Sequence, residues 1–147
     1  MMDPKMLDAL SSSIYLSKLQ LKGETVDDDD KRIRASGLYD DWTPGTHTVG
    51  QIYNAAGQTW ECYQAYDNAV HPDIAPGNAA WFTFNRPLHG KSPETARPWV
   101  VPTHSMDIYK NGDCMIWTDG NVYRCTAENG TNFSPADYAA AWKICTA

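Results

Sequence analysis

GQTWECYQA, residues 57–65, and GNVYRCTAE, residues 120–128, write one stretch twice: Gly, two residues, an aromatic, a charged residue and Cys in the same order. A leading Gly followed by alternating residues predicts the second strand of a small hairpin in each place. Working outward, the first copy runs from Trp42 through HTVGQIYNAAGQTWECYQAY to PGNAAW, ending at Trp81. The second runs through DIYKNGDCMIWTDGNVYRCTAE to SPADYAAAW, ending at Trp142. The expected fold is therefore mainly β: an N-terminal helix followed by two small three-stranded antiparallel modules, at 38–82 and 104–147.

In the second copy, Asp119-Gly120 suits a two-residue type I′ turn, which needs positive φ at both central residues. That register pairs Ile116 with Tyr123 and Cys114 with Cys125, and turns Met115, Trp117, Val122 and Arg124 to the other face. Arg124 marks that face as the wetter one, so Trp117 is expected as an exposed ring. In the first copy Trp60 and Cys62 point inward, Glu61 and Tyr63 outward. Its partner strand has two registers: an Ala56-Gly57 loop pairs Tyr53 with Trp60, whereas a three-residue loop pairs Ile52 with it. Trp60, Trp81, Tyr123 and Trp142 are the expected core aromatics. A module of this size buries little apolar area, so each half is expected to support the other.

Before the repeat, residues 1–22 place Leu7, Leu10, Ile14 and Leu21 at heptad-like spacing, with Asp3 as a cap and Pro4 in the first turn. Ser11 to Ser13 weaken a helix that would be marginal alone, so it packs on the chain or associates with its own copies. Residues 23–37 carry Asp27 to Asp30 ahead of Lys31, Arg32 and Arg34, and are expected as a solvated charged linker. The run also matches a peptidase tag site in composition, and consecutive carboxylates lack the spacing of a calcium loop. Residues 83–103, with Pro87, Pro93, Pro98 and Pro102, read as a structured linker that holds no central strand.

Composition narrows the function. Six Trp, eight Tyr and three Phe in 147 residues exceed what so small a core requires, which points to rings that bind a ligand. A net charge of −6 excludes a general affinity for nucleic acid. No apolar run is long enough for membrane insertion, and no secretory signal is expected at the N-terminus. Cys62, Cys114, Cys125 and Cys145 lack disulfide-framework or zinc spacing and are expected as reduced, mostly buried thiols, a Cys114–Cys125 bridge being the exception. No metal site and no cofactor are expected. His47, His71, His89 and His104 lie in predicted loops as ordinary surface histidines, and no nucleophile with its base or carboxylate pair suggests catalysis.

The order Trp, Tyr-x-x-Gly, a short strand, Gly-x-x-Tyr, Pro and a closing Trp resembles the small chitin- and cellulose-binding modules of carbohydrate-binding families 5 and 12. The second copy carries it as Tyr109-x-x-Gly112, Gly120-x-x-Tyr123, Pro135 and Trp142; the first as His47-x-x-Gly50, Gly57-x-x-Trp60, Pro76 and Trp81. Together they cover about two thirds of the chain. The wording around them also resembles small proteins encoded in prophages near tail genes. The resemblance implies a noncatalytic, glycan-binding accessory protein on a virion or phage tail-like particle, made in the bacterial cytoplasm. Its implied partners are a polysaccharide or cell-surface glycan, phage tail proteins, and copies of itself in a homo-oligomer such as a trimer. The alternative is an assembly protein that uses the module as a protein-interaction scaffold. Trp42, Tyr63, Tyr66, Tyr109 and Trp117 are the candidate sugar-stacking residues. Sugar-binding members often carry adjacent aromatics after the second strand, where this chain has Gln64-Ala65 and Ala127-Glu128.

Overall fold

A computed structural model describes residues 3–69, 75–76, 83–103, 105 and 107–145. The expected core residue Trp81, together with His71 and His104, lies outside the described residues. Helix α1, Pro4–Leu21, is capped by the Asp3 carboxylate on the Lys5 N–H, with Pro4 in its first turn. Among the described residues this is the one long helix, and small sheets follow it: β1 Thr46–His47 with β4 Tyr66–Asp67; β2 Ile52–Ala55, β3 Gln58–Cys62 and β5 Asn85–Pro87; and β6 Arg97–Pro98, β7 Cys114–Ile116, β8 Val122–Cys125 and β9 Trp142–Cys145. All pairings between these strands are antiparallel except β6 with β7.

The repeat is visible in the backbone hydrogen bonds. Gly50 N–H donates to Cys62 O and Gly112 N–H to Cys125 O, both at 2.8 Å; Cys62 N–H returns to Gln51 O at 2.9 Å and Cys125 N–H to Asp113 O at 2.8 Å. Side chains repeat the plan: the Thr48 N–H donates to Gln51 Oε1, and the Lys110 N–H to Asp113 Oδ2. The correspondence also reaches further upstream than the motif. Trp42 N–H donates to Asn54 O at 2.8 Å, and Trp99 N–H to Ile116 O at 2.9 Å, so Trp99 is the counterpart of Trp42. The second half of the Pro-rich segment is thus the first strand of the second repeat. Its first half supplies β5, the third strand of the first unit, which lies beyond the expected boundary at residue 82. Both segments form sheet edges, where proline is tolerated because one side of the strand needs no N–H donor.

The two hairpins turn differently. The first has the two-residue Ala56-Gly57 loop, with φ of 52° and 75°, and pairs Tyr53 with Trp60. The second corrects the expected register: Cys114 pairs with Arg124, Met115 with Tyr123 and Ile116 with Val122. Its loop holds three residues, Thr118 to Gly120, and only Gly120 takes positive φ, at 82°. The Asp119 carboxylate explains the wider loop, since it accepts from the Asn121 N–H at 2.9 Å and the Tyr123 hydroxyl at 2.7 Å. A one-residue shift exchanges the faces. Met115, Trp117, Tyr123 and Cys125 therefore gather on the core side with Tyr109, Ala141, Trp142 and Trp99. Cys114 falls on the opposite face from Cys125, which removes the proposed bridge, and the four thiols are free. The sheet has four strands rather than three because β6 joins it.

The expected charged linker is also corrected. Asp28 caps a short helix α2, Asp29–Arg34, by accepting from the Lys31 N–H at 2.8 Å, and Ile33 is buried beneath it. Asp29 accepts two hydrogen bonds from Arg86, at 2.9 and 2.8 Å, while Arg86 Nε donates to Glu61 at 2.8 Å. Asp30 accepts from the Thr95 hydroxyl at 2.6 Å and the Lys91 N–H at 2.8 Å. The acidic run is thus a docking segment: Asp29 and Asp30 bond residues of the β region, while Asp27 and Asp28 bond Lys31 within the segment.

Candidate functional site

Helix α1 docks through Ala9, Ser12, Leu16 and Leu19, an i, i+3, i+7, i+10 face in which Ser12 and Leu19 are buried. Ser12 Oγ donates to Arg34 O at 2.9 Å and accepts from the Gly37 N–H at 3.0 Å. A side chain at Gly37 would lie 2.3 Å from Asp8 O, so glycine permits the helix to approach this close. Beside this seam an open groove of about 960 Å³ separates α1 from the tip of the first hairpin. Lys5 and Asp8 form one wall, Ala55 to Thr59 the other, and Tyr39, Asp40, Asp41, Trp42 and Arg97 complete it.

Trp42 is held from behind. Its indole N–H donates to the Tyr66 hydroxyl at 2.9 Å, and its ring stacks on His47 with centroids 5.9 Å apart and planes at 21°. The Tyr66 hydroxyl in turn lies 2.9 Å from that of Tyr53. A half-buried indole fixed at its N–H loses little freedom when a flat ligand lies against it. Near it the exposed Asp40 and Asp8 carboxylates line the groove and are suited to sugar hydroxyls, whereas Gln58 is buried with its amide donating to Pro98 O. The Asn54 amide is engaged within the fold, donating to Ser36 O at 2.8 Å and Tyr39 O at 3.2 Å and accepting from the Thr59 hydroxyl at 2.7 Å. Asp41 is neutralised by an ion pair with Lys5, whose pKa the hydrogen bond to Asp41 raises.

The five candidate stacking residues do not form one platform. Trp42 borders the groove, and Tyr66 acts behind it as a positioning residue, only 9% exposed. Tyr109 is 1% exposed, with Trp99 stacked at 4.9 Å and His89 at 3.9 Å, and burial raises its pKa far above the ordinary phenol value. Both buried tyrosines are thus corrections to the expected sugar contacts. Trp117 is half-buried and sets an edge against Trp99 at 5.8 Å and 78°, so the exposed ring expected there belongs to the second core. Tyr63 is half-buried on the outward side of the first hairpin, as its alternation requires, and it does not line the groove. The core aromatics Trp60, Tyr123 and Trp142 stand in or against the two cores.

His47 and His89 are buried, against the expectation of surface histidines. His47 bonds Gln51 Oε1 at 3.1 Å and Thr43 O at 2.7 Å; His89 Nε2 donates to Asp107 O at 2.9 Å. Burial lowers the pKa of His89. Among the described residues no group of three His, Cys, Asp or Glu could hold a metal ion, and no helix is long and apolar enough to cross a membrane.

Sequence reasoning missed Tyr39, Asp40, Asn54 and Arg97, which reach the groove from three separate segments. The string YDDW at 39–42, an aromatic–acidic cluster ahead of the first hairpin, was the available signal. In comparisons with known proteins, no family model matches the chain and no curated protein matches it.

Proposed function

We propose that the protein is a noncatalytic carbohydrate-binding accessory protein of a phage or phage tail-like particle, built from two units of the kind found in carbohydrate-binding families 5 and 12. The observation that carries this reading is Trp42, oriented by Tyr66 and His47 at the edge of an open groove of about 960 Å³. Sugar rings would lie on the indole while the exposed Asp40 and Asp8 carboxylates accept from their hydroxyls. The aromatic excess and the repeated hairpin support the same reading. The test is binding of the purified protein to chitin, cellulose and bacterial cell-wall polysaccharides, read by tryptophan fluorescence. Saturable binding that Trp42→Ala lowers about tenfold or more supports the reading, and a null across the panel sinks it.

A second reading, an assembly protein of the same particle, rests on a separate observation. Leu7, Leu10, Ile14 and Leu21, with Met6, are exposed along α1, while the helix docks through its other face. Their spacing of three, four and seven residues fits the seam of a coiled coil between copies of this chain. Replacing Leu7, Leu10 and Ile14 by Gln should reduce the mass seen by light scattering; a mass unchanged from that of the wild type removes this role.

A further inference from the structure

The cation at the end of the groove specifies the ligand more closely. The guanidinia of Arg32, Arg34 and Arg86 each have a carboxylate within 4.0 Å. Arg97, partly buried on β6, has none among the described residues. Its hydrogen bonds lie at the outer limit of length, 3.5 Å to the neighbouring Ala96 O and 3.4 Å to Ser36 Oγ. Burial lowers its pKa, opposed by the more distant charge of Asp8. A desolvated guanidinium with unused donors is costly unless an anion completes it.

Arg97 lines both this groove and the smaller cleft of about 350 Å³ beneath α1, so its fork stands where the two meet. The repeat makes its position informative. Trp99 corresponds to Trp42, which places Arg97 at the site matching Asp40, and both border the groove. One edge therefore offers a hydroxyl acceptor and the other a fork for an anion. Asp8 and Asp40 would repel a diffuse polyanion, whereas Asp41 is already paired with Lys5. The arrangement favours a mostly neutral sugar surface bearing one localised negative group.

Resting on the glycan-binding reading above, we infer that the groove takes an acidic saccharide whose anionic substituent, a uronate carboxylate or a sulfate ester, is bound by the fork of Arg97. Guanidinium pairs such groups through two parallel hydrogen bonds, which a lysine ammonium does not reproduce.

The experiment is calorimetric titration of the full chain with three oligosaccharides of equal length: a neutral oligosaccharide ending in one uronate, a neutral oligosaccharide bearing one sulfate ester, and the neutral chitin oligosaccharide. Wild type, Arg97→Gln and Arg97→Lys are compared, each first shown to melt cooperatively. Expected is a preference for one acidic ligand, a loss on the order of 30-fold in Arg97→Gln, and only partial recovery in Arg97→Lys. The acidic ligand that binds tells carboxylate from sulfate. Equal binding of the neutral ligand with no effect of Arg97→Gln overturns this inference and leaves the glycan reading standing. Failure of all three ligands overturns both.

Discussion

Asn85 and Trp142 hold the same place in the two repeats. Asn85 pairs with Cys62 and Trp142 with Cys125, at the start of the strand that follows the hairpin in each unit. A small amide and the largest side chain are interchangeable here because their surroundings compensate. Tyr53 stands where Met115 stands, and Tyr66 where Thr131 stands. The two tyrosine hydroxyls meet at Asn85, whose Oδ1 accepts from Tyr53 and whose amide donates to Tyr66 at 3.4 Å. Burial, with the Tyr66 hydroxyl added, raises the Tyr53 pKa well above the ordinary phenol value.

The first prediction follows from that triad. Asn85→Leu keeps the volume close to native and leaves the Tyr53 hydroxyl short of an acceptor in a buried place. The expected cost is about 1–3 kcal/mol, seen as a lower denaturation midpoint at unchanged slope. Adding Tyr53→Phe should restore part of the loss, because both polar partners are then gone. A double variant as unstable as the sum of the singles would refute the coupling.

Arg86 joins α2 to the first sheet through Asp29 and Glu61, and all three side chains are mostly covered. Arg86→Met removes the close partner of two covered carboxylates and leaves Arg32, at 3.6 Å from Asp29 and 4.0 Å from Glu61, as their remaining cation, so the expected cost is about 1–3 kcal/mol. Asp29→Asn in that background should cost much less than in wild type. The check is a double-mutant cycle by urea denaturation, in which a coupling near zero would contradict the geometry.

Stability should fall with acid in two stages. Burial acts to raise the Asp29 carboxyl, but the Arg86 hydrogen bonds and charge outweigh it and hold the pKa below the usual value. At Asp30 burial is likewise outweighed, by Thr95, Lys91 and Arg34. A depressed carboxyl stabilises the fold above its unfolded pKa of about 3.9, and the contribution is lost as pH falls through the folded value. His89 is also depressed, by burial, so its neutral form stabilises the fold above about pH 6.5 and charging it costs stability below. Between about pH 7 and 8 the melting temperature should therefore be flat, declining gently below about 6.5 and steeply below about 4. His89→Gln should remove the gentle stage alone, and a gentle stage that survives that change would sink the assignment.

Gly37→Ala should release α1. The added methyl meets Asp8 O at 2.3 Å, a contact that only a shift of the helix relieves. The expected cost is about 1–3 kcal/mol. An undocked helix of 18 residues is marginal in water, so far-ultraviolet dichroism should lose helical signal and the segment before α2 should become sensitive to protease. Retained helicity together with unchanged protease resistance would show that the seam tolerates the methyl.

Local chemistry made much of this chain legible in its sequence. Asp3 and Pro4 announce the start of α1, the Gly-led strands announce the repeat, and the inward pair Trp60 and Cys62 follows from alternation alone. The Ala56-Gly57 register was one of two that local rules allowed, and Ala56 accepts a positive φ that Asn or Gly would take more easily. In the second hairpin Asp119-Gly120 favoured a two-residue turn, but the Asp119 carboxylate has two donors across a three-residue loop, and the faces exchanged with that single step.

Only the tertiary structure decided what depends on partners distant in sequence. The acidic run reads as solvated because its like charges repel, until Arg86, Lys91 and Thr95 arrive from about 60 residues away to bind it. The stripe at Leu7, Leu10, Ile14 and Leu21 has the period of a buried face, yet the helix docks through Ser12, whose two hydrogen bonds depend on Arg34 and Gly37. Trp42 borders the groove and Tyr109 is a core residue although both are aromatics near the start of a repeat. The difference is the extra cover of Trp99 and His89 over Tyr109. Periodicity reports which residues share a face, whereas burial of that face is settled by whichever distant surface packs against it.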